Sequence, residues 1–349
     1  MGDFLRQLIA TTFVFLEGLL LPLEVFLLLM FKSSPLAYAS EQMAVHHFPN
    51  VAAQSLDTNS APTHALPSKK SDSCLEASPP TSTSALPLLR RTMTWEEKYA
   101  HYAKDMGSST RSMWSEPSAE KIQVRGPKYL KDGVKVPAGL GLGKLLHVDV
   151  WSETPERPGR QDHIARIDLA RPNSILRYFQ EERPDDTIFV LNFQVPGPPF
   201  VHVVCYWVLA AETVHSNAPF LRLWKQFRGA IDTGNHTFCN ARMKLIPAIA
   251  DGPWLVKATV PQKPAIIGNK LTQRYFAGTN YVEVAMDIAS STIAANIVGL
   301  CRGYSKQLVV DLHLTLQGDV EEELPERIFG SVQLAHLDFT QGEAIPLPL

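Results

Sequence analysis

Between Ser33 and Arg91 the chain carries no apolar period: Pro, Ser, Thr and Ala dominate, and such a stretch buries too little surface to offset the entropy of ordering it. That gap constrains the rest. Aliphatic and aromatic residues are left in two places, the first 31 positions and the region after Val124. A chain of 349 residues has room for two or more domains by length alone. This distribution instead predicts one core: residues 33–112 a disordered linker, 113–342 a globular domain, and 343–349 a tail.

The leading run, residues 8–31 (LIATTFVFLEGLLLPLEVFLLLMF, with Leu8, Phe13, Leu19, Phe26 and Phe31 spread along it), is long enough to cross hydrocarbon as a helix, which takes about 20 mainly apolar residues. On such a helix Arg6, Glu17 and Glu24 fall within about 20° of one another, a narrow polar stripe. A lipid-facing ionised Glu costs about 2.5 kcal/mol or more at the bilayer centre. Residues 1–32 therefore have three readings. One is a transmembrane anchor whose stripe faces another helix or whose Glu17 is protonated; another is a helix lying in the interface; the third is a cleaved signal, because Ala37-Tyr38-Ala39 has a small-x-small form. The anchor ranks first, since the run exceeds the ~7–15 apolar residues of a signal. Cations beyond the run (Lys32, Lys69, Lys70, Arg90, Arg91) favour a domain facing the cytosol, with a lumenal or secreted domain as the alternative. Asn235-His236-Thr237 is a glycosylation sequon that would report the lumenal case.

One ordered island is expected inside the linker. Thr94 and Glu97 have capping-box spacing, and Trp95, Tyr99, Tyr102 and Met106 then recur on one helical face, predicting a short amphipathic helix near 94–106. Its aromatic face needs a partner, either the domain itself or a membrane or protein reached through Trp95, Tyr99 and Tyr102.

Within the domain, TIFVLNFQV (187–195) and FVHVVCYWVL (200–209) are two β-branched and aromatic runs separated by Pro196-Gly197-Pro198-Pro199, which predicts a hairpin or a strand-turn-strand. Tyr281–Ile288 and Leu308–Gln317 alternate apolar and polar residues, and between them Ser290 or Ser291 precedes a helical face through Ile293, Ile297, Leu300 and Tyr304. The pattern predicts an α+β fold, an antiparallel sheet with one wet face and helices packed on the other. A START-like helix-grip is the alternative.

The chemistry-bearing residues are sparse. A net charge of -2 with no basic stripe argues against nucleic acid. Four scattered cysteines (Cys74, Cys205, Cys239, Cys301) form no metal or disulfide pattern and read as free thiols, and no cofactor is implied. Gly139-Leu140-Gly141-Leu142-Gly143-Lys144 lacks the first Gly and the Ser or Thr of a phosphate-binding loop. Glu283 and Asp287 share a strand face that reads as solvated. With no catalytic constellation, the expected class is non-enzymatic. Arg125, Lys128, Lys131 and Lys135 crowd a Gly-Pro turn, and with Arg242 and Lys244 they are the candidate lipid- or anion-binding residues. The acidic stretch Asp319–Glu326 is expected to point into solvent.

Several blocks in fixed order carry a family resemblance: WSEPSAEKIQVRGPKYLKDGVKVPAG from Trp114, LNFQVPGPP at 191–199, FCNARMKLIPAIADGPWLVKATV at 238–260, KPAIIGNKLTQRYFAGTNYVEVAMDIASS at 263–291 and ELPERIFGSVQLAHLDF at 323–339. Together they resemble the C-terminal domain of the plant enhanced disease resistance 2 family. The resemblance implies a regulatory module of the kind that restrains plant defence and cell-death signalling. Relatives bearing this domain commonly carry pleckstrin-homology and START domains upstream, and neither fits residues 1–113, so membrane recruitment is assigned to the N-terminal run. The combined expectation is a membrane-associated, non-catalytic module binding lipid or a partner. A protein-interaction scaffold and an unrecognised small-molecule enzyme are the alternatives.

Overall fold

The computed structural model describes residues 93–104 and 111–346; the apolar run 8–31 and the linker up to Thr92 lie outside the described residues. The compact unit begins at Met93. Its first strands are β1 (Trp114–Ser115), β2 (Gln123–Arg125), β3 (Lys135–Pro137), β4 (Gly143–Ser152), β5 (Thr187–Val195) and β6 (Val201–Leu209). After them come β7 (Met243–Asp251), β8 (Ala265–Ile266), β9 (Thr272–Ala277), β10 (Tyr281–Asp287), β11 (Val309–Leu316), β12 (Ile328–Ala335) and β13 (Glu343–Ala344). The helices that matter below are α1 (Trp95–Ala103), α2 (Ile164–Ala170), α3 (Ile175–Glu182), α4 (Ala218–Asp232), α5 (Trp254–Thr259) and α6 (Thr292–Gly303).

The class is α+β. The strands make two large sheets: an antiparallel one of five in the order β1-β12-β11-β7-β8, and a mixed one of six in the order β13-β4-β6-β5-β10-β9, with β2 and β3 paired separately. In the larger sheet β5 and β6 form the expected hairpin, Val195 opposite Val201 across the Pro-rich turn, while β10 joins β5 in parallel.

The two sheets pack on each other through one core that holds Phe189, Trp207 and Val203 of the larger and Leu314, Phe329 and Val332 of the smaller, with α4 adding Phe220, Trp224 and Phe227. A second cluster covers the opposite face of the six-stranded sheet, where α2 and α3 press Ile164, Ile175, Leu176 and Phe179 onto Val190, Val204 and Tyr206. Central strands of that sheet are therefore covered on both sides. This corrects the single half-wet sheet: all of β10 is buried, and Glu283, expected in water, has 0% exposure. His313 and Thr315 of β11 are buried for the same reason, a layer on each side where alternation alone implied only one.

Both ends of the domain also extend beyond their expected limits. Thr94 caps α1 through the reciprocal bonds of a capping box, its hydroxyl accepting from the Glu97 N–H at 3.2 Å and its own N–H donating to Glu97 at 2.8 Å. The helix then lays Tyr99 on Tyr178 and Phe179, and the Tyr102 hydroxyl donates to the Ser174 carbonyl at 3.0 Å. The Trp95–Tyr99–Tyr102 face is thus spent on the domain. At the other end β13 pairs with β4 and Ile345 is 2% exposed, so residues 343–346 of the expected tail belong to the fold, the rest of it lying outside the described residues.

Candidate functional site

The site is a space between the two sheets. At one end the sheets touch: Gly143 of β4 crosses β12 so closely that a Cβ there would lie 2.2 Å from the Phe329 carbonyl oxygen, and the Phe189 and Phe329 rings meet edge to face at 5.0 Å. At the other end Phe193, Val203 and Met286 of the large sheet face Leu245, Leu312 and Leu334 of the small one across a cavity of about 340 Å³. Its walls are almost wholly hydrocarbon. For scale, an engineered apolar cavity of about 150 Å³ stays dry and admits benzene.

Helix α6 covers this cavity. The Ser291 hydroxyl caps it by accepting from the Ala294 N–H, and Ala294, Ile297, Val298 and Cys301 form the face turned to the cavity. Leu300 and Tyr304, expected on the same face as Ile297, pack instead beside Val256 of α5 and Leu308. No residue of α6 is fully buried, and Ile293 is 41% exposed. The C-terminal end of the helix is tied to a neighbouring turn. There the Arg302 guanidinium donates to the carbonyls of Pro196, Pro198 and Pro199 in the β5–β6 turn and sits over the Phe339 ring. Beside α6, α5 exposes Trp254 (77%) and Leu255 (38%) while burying Val256.

A second cavity, of about 490 Å³ and polar, lies on the other face of the β7–β8 edge of the small sheet. Arg125, Lys135, Lys244 and Lys263 line it together with a single carboxylate, Glu326. The structure thus brings together three of the six sequence-derived candidates. Lys244 is buried and its Nζ donates to Glu326 at 2.6 Å; burial holds its ammonium below the usual lysine range in spite of that partner. Arg125 donates to the Gly318 carbonyl at 2.8 Å and pairs with Asp319 at 3.3 Å. The other three stand apart from it: Arg242 is tied to Asp319 at 2.5 Å and Glu323 at 3.5 Å, Lys131 to Glu321 at 2.7 Å, and Lys128 is exposed on the turn. The acidic stretch does not simply point outward. Glu323 and Glu326 are buried, and the stretch neutralises much of the basic set.

Comparison with known proteins agrees with the blocks that carried the resemblance. The model of the family described as "Protein ENHANCED DISEASE RESISTANCE 2, C-terminal" matches residues 114–338, well over half of the chain. The chain belongs to this family. An Arabidopsis thaliana protein, "Protein ENHANCED DISEASE RESISTANCE 2-like", is 33% identical over 238 residues, which is 68% of this chain and 30% of that relative. The chain therefore spans well under half of that relative's length. No solved structure matches. The stretch shared with the enhanced disease resistance 2 family contains both cavities apart from Phe339, whereas α1 lies before it.

Other ionisable residues of this family member hold the fold. Glu283 accepts from the N–H groups of Ile164 and Ala165 at 2.8 Å each, and burial, only partly offset by those bonds, pushes its carboxyl up to about 8. Asp168 accepts from Ser174 Oγ and the Leu176 N–H, joining α2 to α3. Among the described residues no cluster of three or more His, Cys, Asp or Glu has the arrangement to hold a metal ion. Cys205 and Cys239 are buried free thiols, whereas Cys301 borders the apolar cavity and Cys74 lies outside the described residues. No described helix is long and apolar enough to cross a membrane.

Sequence reasoning missed the apolar cavity. Its lining residues read as ordinary strand and helix faces, and nothing in a periodicity distinguishes a face that meets another side chain from one that meets a void. Lys263 was also missed, because it stands alone between Gln262 and Pro264, away from any basic cluster.

Proposed function

We propose that the chain is a membrane-associated lipid-binding module, in which the cavity between the sheets takes the hydrocarbon chain of an amphiphile and holds it without transforming it. One observation carries this reading: a space of about 340 Å³ between the two sheets is walled almost wholly by apolar side chains and covered by a helix with no fully buried residue. Interiors normally fill such space to crystal-like density, and a void forfeits the contacts of its lining. An apolar ligand restores them. The exposed Trp254 and Leu255 of α5, with Ile293 of α6, supply apolar side chains beside the lid that can enter a bilayer's interface during loading. In this reading residues 8–31 anchor the chain and the domain works on the cytosolic side. The family's name and that of the Arabidopsis relative support a regulatory role in plant disease resistance, exercised through the bound lipid.

The test uses the full chain, so that any contribution of residues 8–31 is common to every sample. A fluorescent fatty acid below its micellar concentration should bind the wild type saturably, and Val298→Trp, which fills the cavity from the lid, should weaken binding at least about tenfold, ~1.4 kcal/mol. Equal binding by the filled variant sinks the reading.

A further inference from the structure

The apolar and basic cavities share a wall, and the wall ends. Along β7 the side chains of Leu245, Pro247 and Ile249 line the apolar cavity while Lys244 and Ile246 line the basic one, as alternation on a strand requires. Strand β8 repeats this with Ala265 on one side and Ile266 on the other, Leu245 lying opposite Ala265 and Lys244 opposite Ile266. It is the edge strand of its sheet and only two residues long. Lys263 precedes it by two positions and lines both cavities.

Charge distinguishes the two sides. The basic cavity has four cationic side chains against one carboxylate, and Glu326 is already occupied by Lys244 Nζ and by the backbone N–H groups of Arg125 and Gly318. Arg125 is shared with Asp319. Lys135 and Lys263 have no carboxylate within ion-pair distance among the described residues, so an anion entering there meets uncompensated positive charge. The apolar cavity's other cation, Arg302, spends its donors on the three carbonyls of the β5–β6 turn.

Resting on the lipid reading above, we propose that the ligand is an anionic amphiphile with a phosphate-bearing headgroup. Its chain lies between the sheets, and its headgroup turns around the β8 edge past Lys263 into the basic cavity toward Lys135. Lys263 is the residue that selects charge; the cavity under α6 selects the chain.

The test compares two soluble probes with the same fluorescent acyl chain, a lysophosphatidate and a monoacylglycerol, on the full-length protein, with glycerol 3-phosphate as the chainless control. The wild type should prefer the lysophosphatidate by about tenfold. Lys263→Gln should cut that preference, read as the ratio of the two affinities, about fivefold, each nearby cation being worth roughly that factor toward an anionic group, and Lys263→Arg should restore it. Val298→Trp should lose both probes. Equal binding of charged and neutral probes by the wild type, or an unchanged preference in Lys263→Gln, overturns this inference and leaves the lipid reading standing. Failure of both probes takes the lipid reading with it. Glycerol 3-phosphate binding as tightly as the lysophosphatidate, and undisturbed by Val298→Trp, makes the basic cavity a site for free phosphate esters and overturns the continuous-ligand proposal.

Discussion

The two ends of the space between the sheets are built from the same strands and come out opposite. At the Gly143 end, that glycine lets the backbones approach, and Phe189, Trp207, Phe220, Trp224 and Phe329 fill the interior with interlocked rings. At the α6 end the facing side chains are mainly aliphatic, the sheets leave a partly open space between them, and the covering helix, none of its residues fully buried, is tied to the β5–β6 turn by Arg302. A domain that can pack one end of an interface this tightly does not leave the other open for want of apolar residues. In the reading proposed above, stability resides at the ring-filled end, and capacity for a ligand at the other.

That contrast breaks most readily at Phe329. With 0% exposure and rings on three sides, Phe329→Ala should cost about 3–5 kcal/mol in chemical denaturation, as large-to-small changes in rigid cores do. A loss under ~1 kcal/mol would mean this end is as loosely filled as the other.

Glu283, on the far face of the larger sheet, sharpens the contrast through pH. Its folded-state carboxyl titrates near 8 against an ordinary value of 4.5, so the folded protein holds a proton that the unfolded chain releases; the associated stability is complete below about pH 4.5 and is lost as pH rises through about 8. Thermal melts of the wild type should therefore fall over that window. In Glu283→Gln the slope should flatten, with a cost of about 1–3 kcal/mol at pH 6, because the amide accepts from only one of the two N–H groups that the carboxyl serves. An unaltered slope assigns the pH dependence elsewhere.

Smaller effects are expected at the open end. Val298→Trp would cost about 1–3 kcal/mol in a filled core, but with a void to receive it the change should stay under ~1 kcal/mol by denaturation while removing lipid uptake. Trp254→Ser should alter stability by no more than ~0.5 kcal/mol, the side chain being 77% exposed, yet slow lipid loading from vesicles.

Local order was more legible than layering. The Pro196–Pro199 turn placed the β5–β6 turn, Thr94 and Glu97 placed the start of α1, and the Ser290–Ser291 pair placed the start of α6, of which Ser291 is the cap, because each of those signals acts within a few residues. What lies above and below a strand is not written in its own alternation. Glu283 and His313 read as solvated for that reason, since the elements that bury them come from elsewhere in the chain. The basic candidates were half legible. Arg125, Lys135 and Lys244 do converge, but Arg242 and Lys131 are taken up by acidic residues some 75 to 190 positions away, a pairing that proximity in sequence cannot reveal. The cavity was not legible at all, being a property of how two sheets separate.

Occupancy of that cavity is tested most directly by photocrosslinking. A fatty acid carrying a diazirine near its methyl end, irradiated on the full chain and mapped by peptide mass spectrometry, should label peptides holding Val298 and Cys301 of α6 and Leu245 to Ile249 of β7, with labelling suppressed by unmodified fatty acid. Labels confined to residues 8–31 or to the exposed side of α5, with the α6 and β7 peptides clean, would contradict a chain held between the sheets.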